Sequence, residues 1–202
     1  MRERFRRNPV AAGYLSAVAG LALLMRFVFD DGMSAQIHES LSANTDNLAD
    51  HPATALLGSA FVLDPGAGAL RTALVLAAAA VCLGRFEREV GPWRAGAVAA
   101  VGHVGAALAA AAATSSGAYP TDLSAVVAVG VDDVALAAAG AVTALVPPVL
   151  RAPWLALVVT CPLIGAQWYG AVPGSEAVGH VSAAVLGAAG GALAVRRAFA
   201  GR

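Results

Sequence analysis

Two adjacent carboxylates, Asp132 and Asp133, interrupt an apolar run that reads SAVVAVGVDDVALAAAGAVTAL from Ser124 to Leu145. A charged carboxylate near the centre of a membrane-spanning helix costs about 3 kcal/mol, so such groups line a cavity or meet a partner. Two histidines have comparable surroundings, His103 in AVGHVGAAL and His180 in GHVSAAVLGAAGGAL. Acids and imidazoles in apolar segments can serve acid–base catalysis, ion transfer or charge-assisted hydrogen bonds between helices. Asp132 and Asp133 do not by themselves make an aspartyl-protease dyad. Neighbours on a helix point about 100° apart, whereas that chemistry needs two carboxylates facing each other across one water.

The elements that must position these residues are set by composition. Hydrophobic residues make up 58% of the chain, charged residues 13%, and mean hydropathy is +0.70. Soluble domains carry about 25% charged residues, so this is a membrane protein whose first partner is the lipid bilayer. Net charge is zero and the basic residues sit at chain ends and turns, which excludes a nucleic-acid surface. All 13 basic residues are Arg, which with the Ala, Gly and Val content points to a GC-rich bacterial genome. Cys82 and Cys161 both fall in apolar segments and read as small core residues, not a disulfide.

Six stretches approach the length needed to cross about 30 Å of hydrocarbon as helices: 9–29, 66–84, 94–113, 123–146, 153–171 and 177–195. Arg85, Arg88 and Arg94 lie between the second and third, Arg151 between the fourth and fifth, and Arg196, Arg197 and Arg202 after the sixth. Four more arginines precede the first. The alternate connections contain no Arg, so the positive-inside rule places both termini in the cytoplasm of a multi-pass plasma-membrane protein. The expected organisation is a single domain over 1–202, with a cytoplasmic stub at 1–8 and a first outer loop at about 30–65. Within that loop Met33, Ile37 and Leu41 recur at every fourth position, predicting a short amphipathic helix on the bilayer surface.

Packing signals concentrate in the last segment, where Gly179, Ala183, Gly187 and Gly191 form a stripe of small residues that admits another helix backbone. There is no phosphate loop and no Cys/His spacing suited to zinc. No cofactor and no metal site is expected, and function must come from the helix bundle.

Four stretches in order resemble the rhomboid family of intramembrane serine proteases. LGRFEREVG, with Glu87 and Gly91, is similar to the end of that family's second helix, and VGVDDVALAAAGA, with Gly130 and Gly140, to its fourth-helix motif. GHVSAAVLGAAGGAL is similar to the His-bearing sixth helix, and HPATALLGSAF to the end of the first outer loop. The resemblance implies an all-α membrane protein with a six-transmembrane-helix rhomboid-like bundle. It also sets His180 at the catalytic base position. At the nucleophile position stands Asp132, followed by Asp133, and Arg71 and Val75 stand where proteases carry oxyanion donors. A carboxylate lacks the hydroxyl proton that a base removes, and is a poor nucleophile toward an amide.

The resemblance therefore implies a degenerate site, with no catalytic residue expected, in a pseudoprotease of actinobacterial type. Such a protein binds other membrane proteins, or their transmembrane segments, without cleaving them. Two alternatives stay open: a protease with a divergent site, and a proton- or ion-coupled transporter using Asp132, Asp133 and His180. The polar cluster is expected to comprise Asp132, Asp133, His180 and His103, with Gly130, Gly140, Gly179, Ala183, Gly187 and Gly191 packing helices. Asp132 is expected within about 4 Å of His180. Asp133 is expected to point toward a different neighbour. Composition and spacing leave the oligomeric state open.

Overall fold

The computed structural model describes residues 8–120 and 122–200 of the chain. The amino-terminal stub before Asn8 and Arg202 lie outside the described residues. Helices dominate: α1 (Pro9–Phe27), α2 (Asp31–Ser40), α3 (Thr45–Asp50), α4 (Pro52–Ser59), α5 (Ala69–Val90), α6 (Pro92–Thr114), α7 (Val131–Val142), α8 (Pro148–Thr160) and α9 (Ser175–Ala200). Strands β1 (Trp168–Tyr169) and β2 (Val172–Pro173) pair as a small antiparallel hairpin.

Among the described residues four helices, α1, α5, α6 and α9, are long and apolar enough to cross a membrane. Their boundaries follow local chemistry. Pro9 and Pro92 open α1 and α6 at the first turn, where the missing N–H is no loss. Gly91, at φ 87°, ends α5 in a conformation that side-chain-bearing residues avoid. The second expected segment, 66–84, is thus shifted to 69–90, and the sixth, 177–195, is extended to 175–200.

The fourth and fifth expected segments differ more. The helix predicted over 123–146 is α-helical only from Val131 to Val142, with a 3-10 turn to Leu145. Residues ahead of it run through the first loop: Ala43 N–H donates to Ala128 O at 2.9 Å, Ala128 N–H to Ser42 Oγ at 2.7 Å, and Gly130 N–H to Ser59 O at 2.9 Å. Bonded in this way, the Val-rich approach has no need of helical hydrogen bonds. The fifth segment, predicted over 153–171, starts earlier at Pro148 and stops at Thr160, with a 3-10 turn to Leu163; Pro162 and Gly165 (φ 80°) prevent its continuation. The first loop holds three short helices, α2 to α4, where one was expected.

α9 is the centre of the bundle, packing along α6 on one side and α7 on another. Its small-residue stripe divides between them. A Cβ added at Gly187 would lie 2.7 Å from Ala137 Cα, and one at Gly191 2.6 Å from Ala141 Cα, so these two seat α7. Gly179 instead faces α6, 3.2 Å from Ala106 O by the same construction. The division reflects where α7 begins, because Gly179 lies beside the part of the predicted fourth helix that is not helical. Ala183, buried with Ala106 and Ala137, stands where the three helices meet. A cluster around Leu83, Phe86, Val90 and Val98 fills the end of the bundle that carries Arg85, Arg88 and Arg94. There Glu87, 1% exposed, accepts the Val10 and Ala11 N–H groups at 2.9 Å each and ties the start of α1 to α5.

Candidate functional site

Asp132 and Asp133 do not sit in mid-span. They occupy the first turn of α7, where free backbone N–H groups and the helix dipole favour negative charge by about 0.3–1 kcal/mol each. Gly130, immediately before, has its Cα against His103: a side chain there would run into the imidazole ring, so glycine is required for this close approach.

The two acids separate into different environments while lining one cavity of about 130 Å³ between α6, α7, α9 and the first loop. Asp132 Oδ2 takes its shortest contact from Arg71 Nη2, at 2.6 Å, and lies 4.0 Å from His180 Nε2. Arg71, in the first turn of α5, also reaches Asp64 at 3.1 Å and Glu176 at 3.1 Å. Because the Arg71 and Glu176 side chains are largely exposed, their pairing is worth little on its own; the network is what holds Asp132. Asp133 is 7% exposed, with Oδ2 3.4 Å from His103 Nδ1 and Oδ1 3.8 Å from His180 Nε2. The carboxylate next to Asp132 therefore faces both histidines.

His103 lies on α6 and joins the cluster to the first loop. Its Nε2 is 2.9 Å from Leu56 O and 3.2 Å from Ser59 Oγ, at the end of α4. Ser59, His103 and Asp133 thus follow one another in the order of a nucleophile, a base and its orienting acid. The local bonding gives them another use. Ser59 is completely buried, and an N–H on Nε2 satisfies the Leu56 carbonyl, so this nitrogen is not free to take a hydroxyl proton. The chain of contacts clasps the first loop to α6 and α7.

Sequence reasoning singled out Asp132, Asp133, His103 and His180, and the structure brings these four together. Arg71, expected from the resemblance at the position of an oxyanion donor, neutralises Asp132. Asp64, Glu176 and Ser59 were not anticipated as members. Glu176 carries a readable signal, standing four residues before His180 on the same helix face. Asp64, in a loop, and Ser59, at the end of the short α4, carry none.

A sequence profile of the family described as rhomboid-like protein matches residues 5–199. The chain belongs to the rhomboid-like protein family. It is an all-α integral membrane protein of that family. No curated protein and no solved structure matches it. Asp132 and His180, the pair that the resemblance led us to expect at the nucleophile and base positions, place a carboxylate oxygen and an imidazole nitrogen 4.0 Å apart. Such a pair can hold a cation or exchange a proton. It has no hydroxyl with which to attack a carbonyl.

Proposed function

We propose that this rhomboid-like protein has no protease activity and binds transmembrane segments of other membrane proteins. The observation that carries this reading is the Arg71–Asp132 contact: the position that would hold a nucleophile holds a carboxylate committed to a guanidinium at 2.6 Å. The cavity beside it is large enough for a side chain, and its carboxylates favour a client group that donates hydrogen bonds. The reading places the protein in a bacterial plasma membrane, crossing it six times with both termini in the cytoplasm. Support for that orientation comes from the arginines of the α5–α6 turn, the start of α8 and the end of α9, set against the Arg-free connections.

A photoreactive residue introduced at Asp132 in native membranes tests this directly. The expected product is a crosslink to a transmembrane segment of another protein, with no cleavage of it. A serine-reactive activity probe is expected to leave the chain unlabelled, and covalent labelling at any membrane serine, Ser59 included, would refute the reading. The transport alternative draws on the same cluster of acids and histidines. Proton flux in liposomes that is abolished by Asp132→Asn would establish it instead.

A further inference from the structure

Cluster geometry at the mouth of α9 points to a second property, independent of client binding. Glu176 and His180 stand one turn apart on α9 and face Asp132 at the start of α7; one donor atom from each lies within 4.8 Å of the other two. His180 is 8% exposed, yet its Nε2 finds no hydrogen-bonding partner at normal distance among the described residues. Instead it points among three carboxylate oxygens at nearly equal range: Asp133 Oδ1 at 3.8 Å, Glu176 Oε1 at 3.9 Å and Asp132 Oδ2 at 4.0 Å. A hydrogen bond would draw one of them to about 2.9 Å. Two ligands of a tetrahedral zinc ion, each about 2.05 Å from the metal, lie about 3.3 Å apart. The gaps from His180 Nε2 to the carboxylate oxygens exceed that spacing by roughly 0.5–0.7 Å, and the Asp132, Glu176 and His180 atoms all lie within 4.8 Å of one another, so side-chain rotation brings them onto a shared ion.

Charge points the same way. Asp64, Asp132, Asp133 and Glu176 gather four acids around the single guanidinium of Arg71. Arg71 engages Asp132 Oδ2 and Glu176 Oε1, the same two oxygens that face His180, and each retains a second lone pair. Carboxylate ligands held by an outer hydrogen bond are the usual arrangement around a metal. Excess negative charge at the largely buried Asp132 and Asp133 is costly in an apolar surrounding, and a divalent cation at His180 relieves it. One imidazole with two or three carboxylates suits zinc or a neighbouring first-row metal better than calcium or magnesium.

We propose that Asp132, Glu176 and His180, with Asp133 beside them, form a binding site for a divalent transition-metal ion. The spacing of these residues along the chain hides the site, since α7 and α9 contribute from opposite sides of α8 and the hairpin.

The test uses the full chain, purified in detergent, stripped with chelator and titrated with zinc. Expected are about one zinc ion per chain by elemental analysis and a cobalt(II) visible spectrum of mixed nitrogen and oxygen ligation. His180→Gln and Glu176→Gln should each weaken binding by at least about tenfold, the amount that even outer-shell partners contribute. Glu176 has an exposed side chain, so its variant keeps the fold and decides the matter alone should His180→Gln fail to elute as native protein. Absence of stoichiometric zinc, or binding of equal strength in the folded variants, overturns the site.

Discussion

Replacing Glu87 should be among the most damaging single changes to this bundle, although the residue is remote from the polar cavity. Its two carboxylate oxygens accept one backbone N–H each, from Val10 and Ala11, both at 2.9 Å. These are first-turn amides of α1, which have no intrahelical partner. The usual remedy is a side chain at the N-cap, but Asn8 makes no side-chain capping bond. Glu87 supplies the cap from another helix, so one interaction both satisfies α1 and docks it on α5. α1 otherwise makes modest contact with the bundle, and most of its surface is open to lipid.

Hydrogen bonds to a charged group contribute about 1.5–3 kcal/mol each, and an N-cap removed by Ala costs about 0.5–2 kcal/mol. Glu87→Ala loses two such bonds and leaves one buried and one part-buried donor, so a loss of about 3–5 kcal/mol is expected. Glu87→Gln keeps one acceptor but brings an NH2 group against the other amide; about 2–3 kcal/mol is expected. Denaturation in mixed micelles, with limited proteolysis of the α1 amino terminus, measures both effects. Glu87→Ala within 0.5 kcal/mol of the parent, or less harmful than Glu87→Gln, would refute the capping argument.

Gly187→Ala should destabilise the bundle by about 1–3 kcal/mol, because its Cβ would enter the Ala137 backbone, and micelle denaturation reads this. Gly13→Ala, on the lipid face of α1 with open space around it, should be neutral or gain about 0.5–1 kcal/mol from helix propensity in the same assay. Asp132→Ser should not produce cleavage of a transmembrane reporter, since Asp133 still faces His180 and Arg71 loses its closest partner; efficient cleavage would show the site to be nearer a working protease than its geometry indicates.

The long helices were legible because their signals are local. Pro92 after Gly91 fixes the α5–α6 turn, and the Arg positions mark one end of the bundle. The start of α7 was not, because the run 123–130 is apolar and β-branched, and what stops it being helical is a set of partners in the first loop. Ser42, Ala43 and Ser59 are up to 86 residues away along the chain, and nothing in their own neighbourhood announces the pairing. The same holds for the site. His180 near Asp132 follows from family resemblance, whereas Arg71, 61 residues before Asp132 and 2.6 Å from it, depends on where α5 begins. Small residues foretold a close approach to α9, but only packing decides that Gly187 meets α7 and Gly179 meets α6.

The shortness of α7 and the existence of the polar cavity have one cause. A helix of 12 residues rises about 18 Å, well short of the roughly 30 Å of hydrocarbon. Non-helical backbone at that depth is tolerated only where protein buries it or water reaches it. The first loop meets that requirement by donating and accepting along residues 124–130, and it brings Ser59 and Leu56 onto His103 as it does so. The retracted helix start brings its first turn to the cavity, and Asp132 and Asp133 occupy that turn. Once there, the acids attract Arg71 and both histidines, so the cluster is coupled to the loop conformation. Replacing one acid leaves the helix start, the loop and the remaining charges in place. That is why the identity of the residue at position 132 cannot by itself decide what this site does.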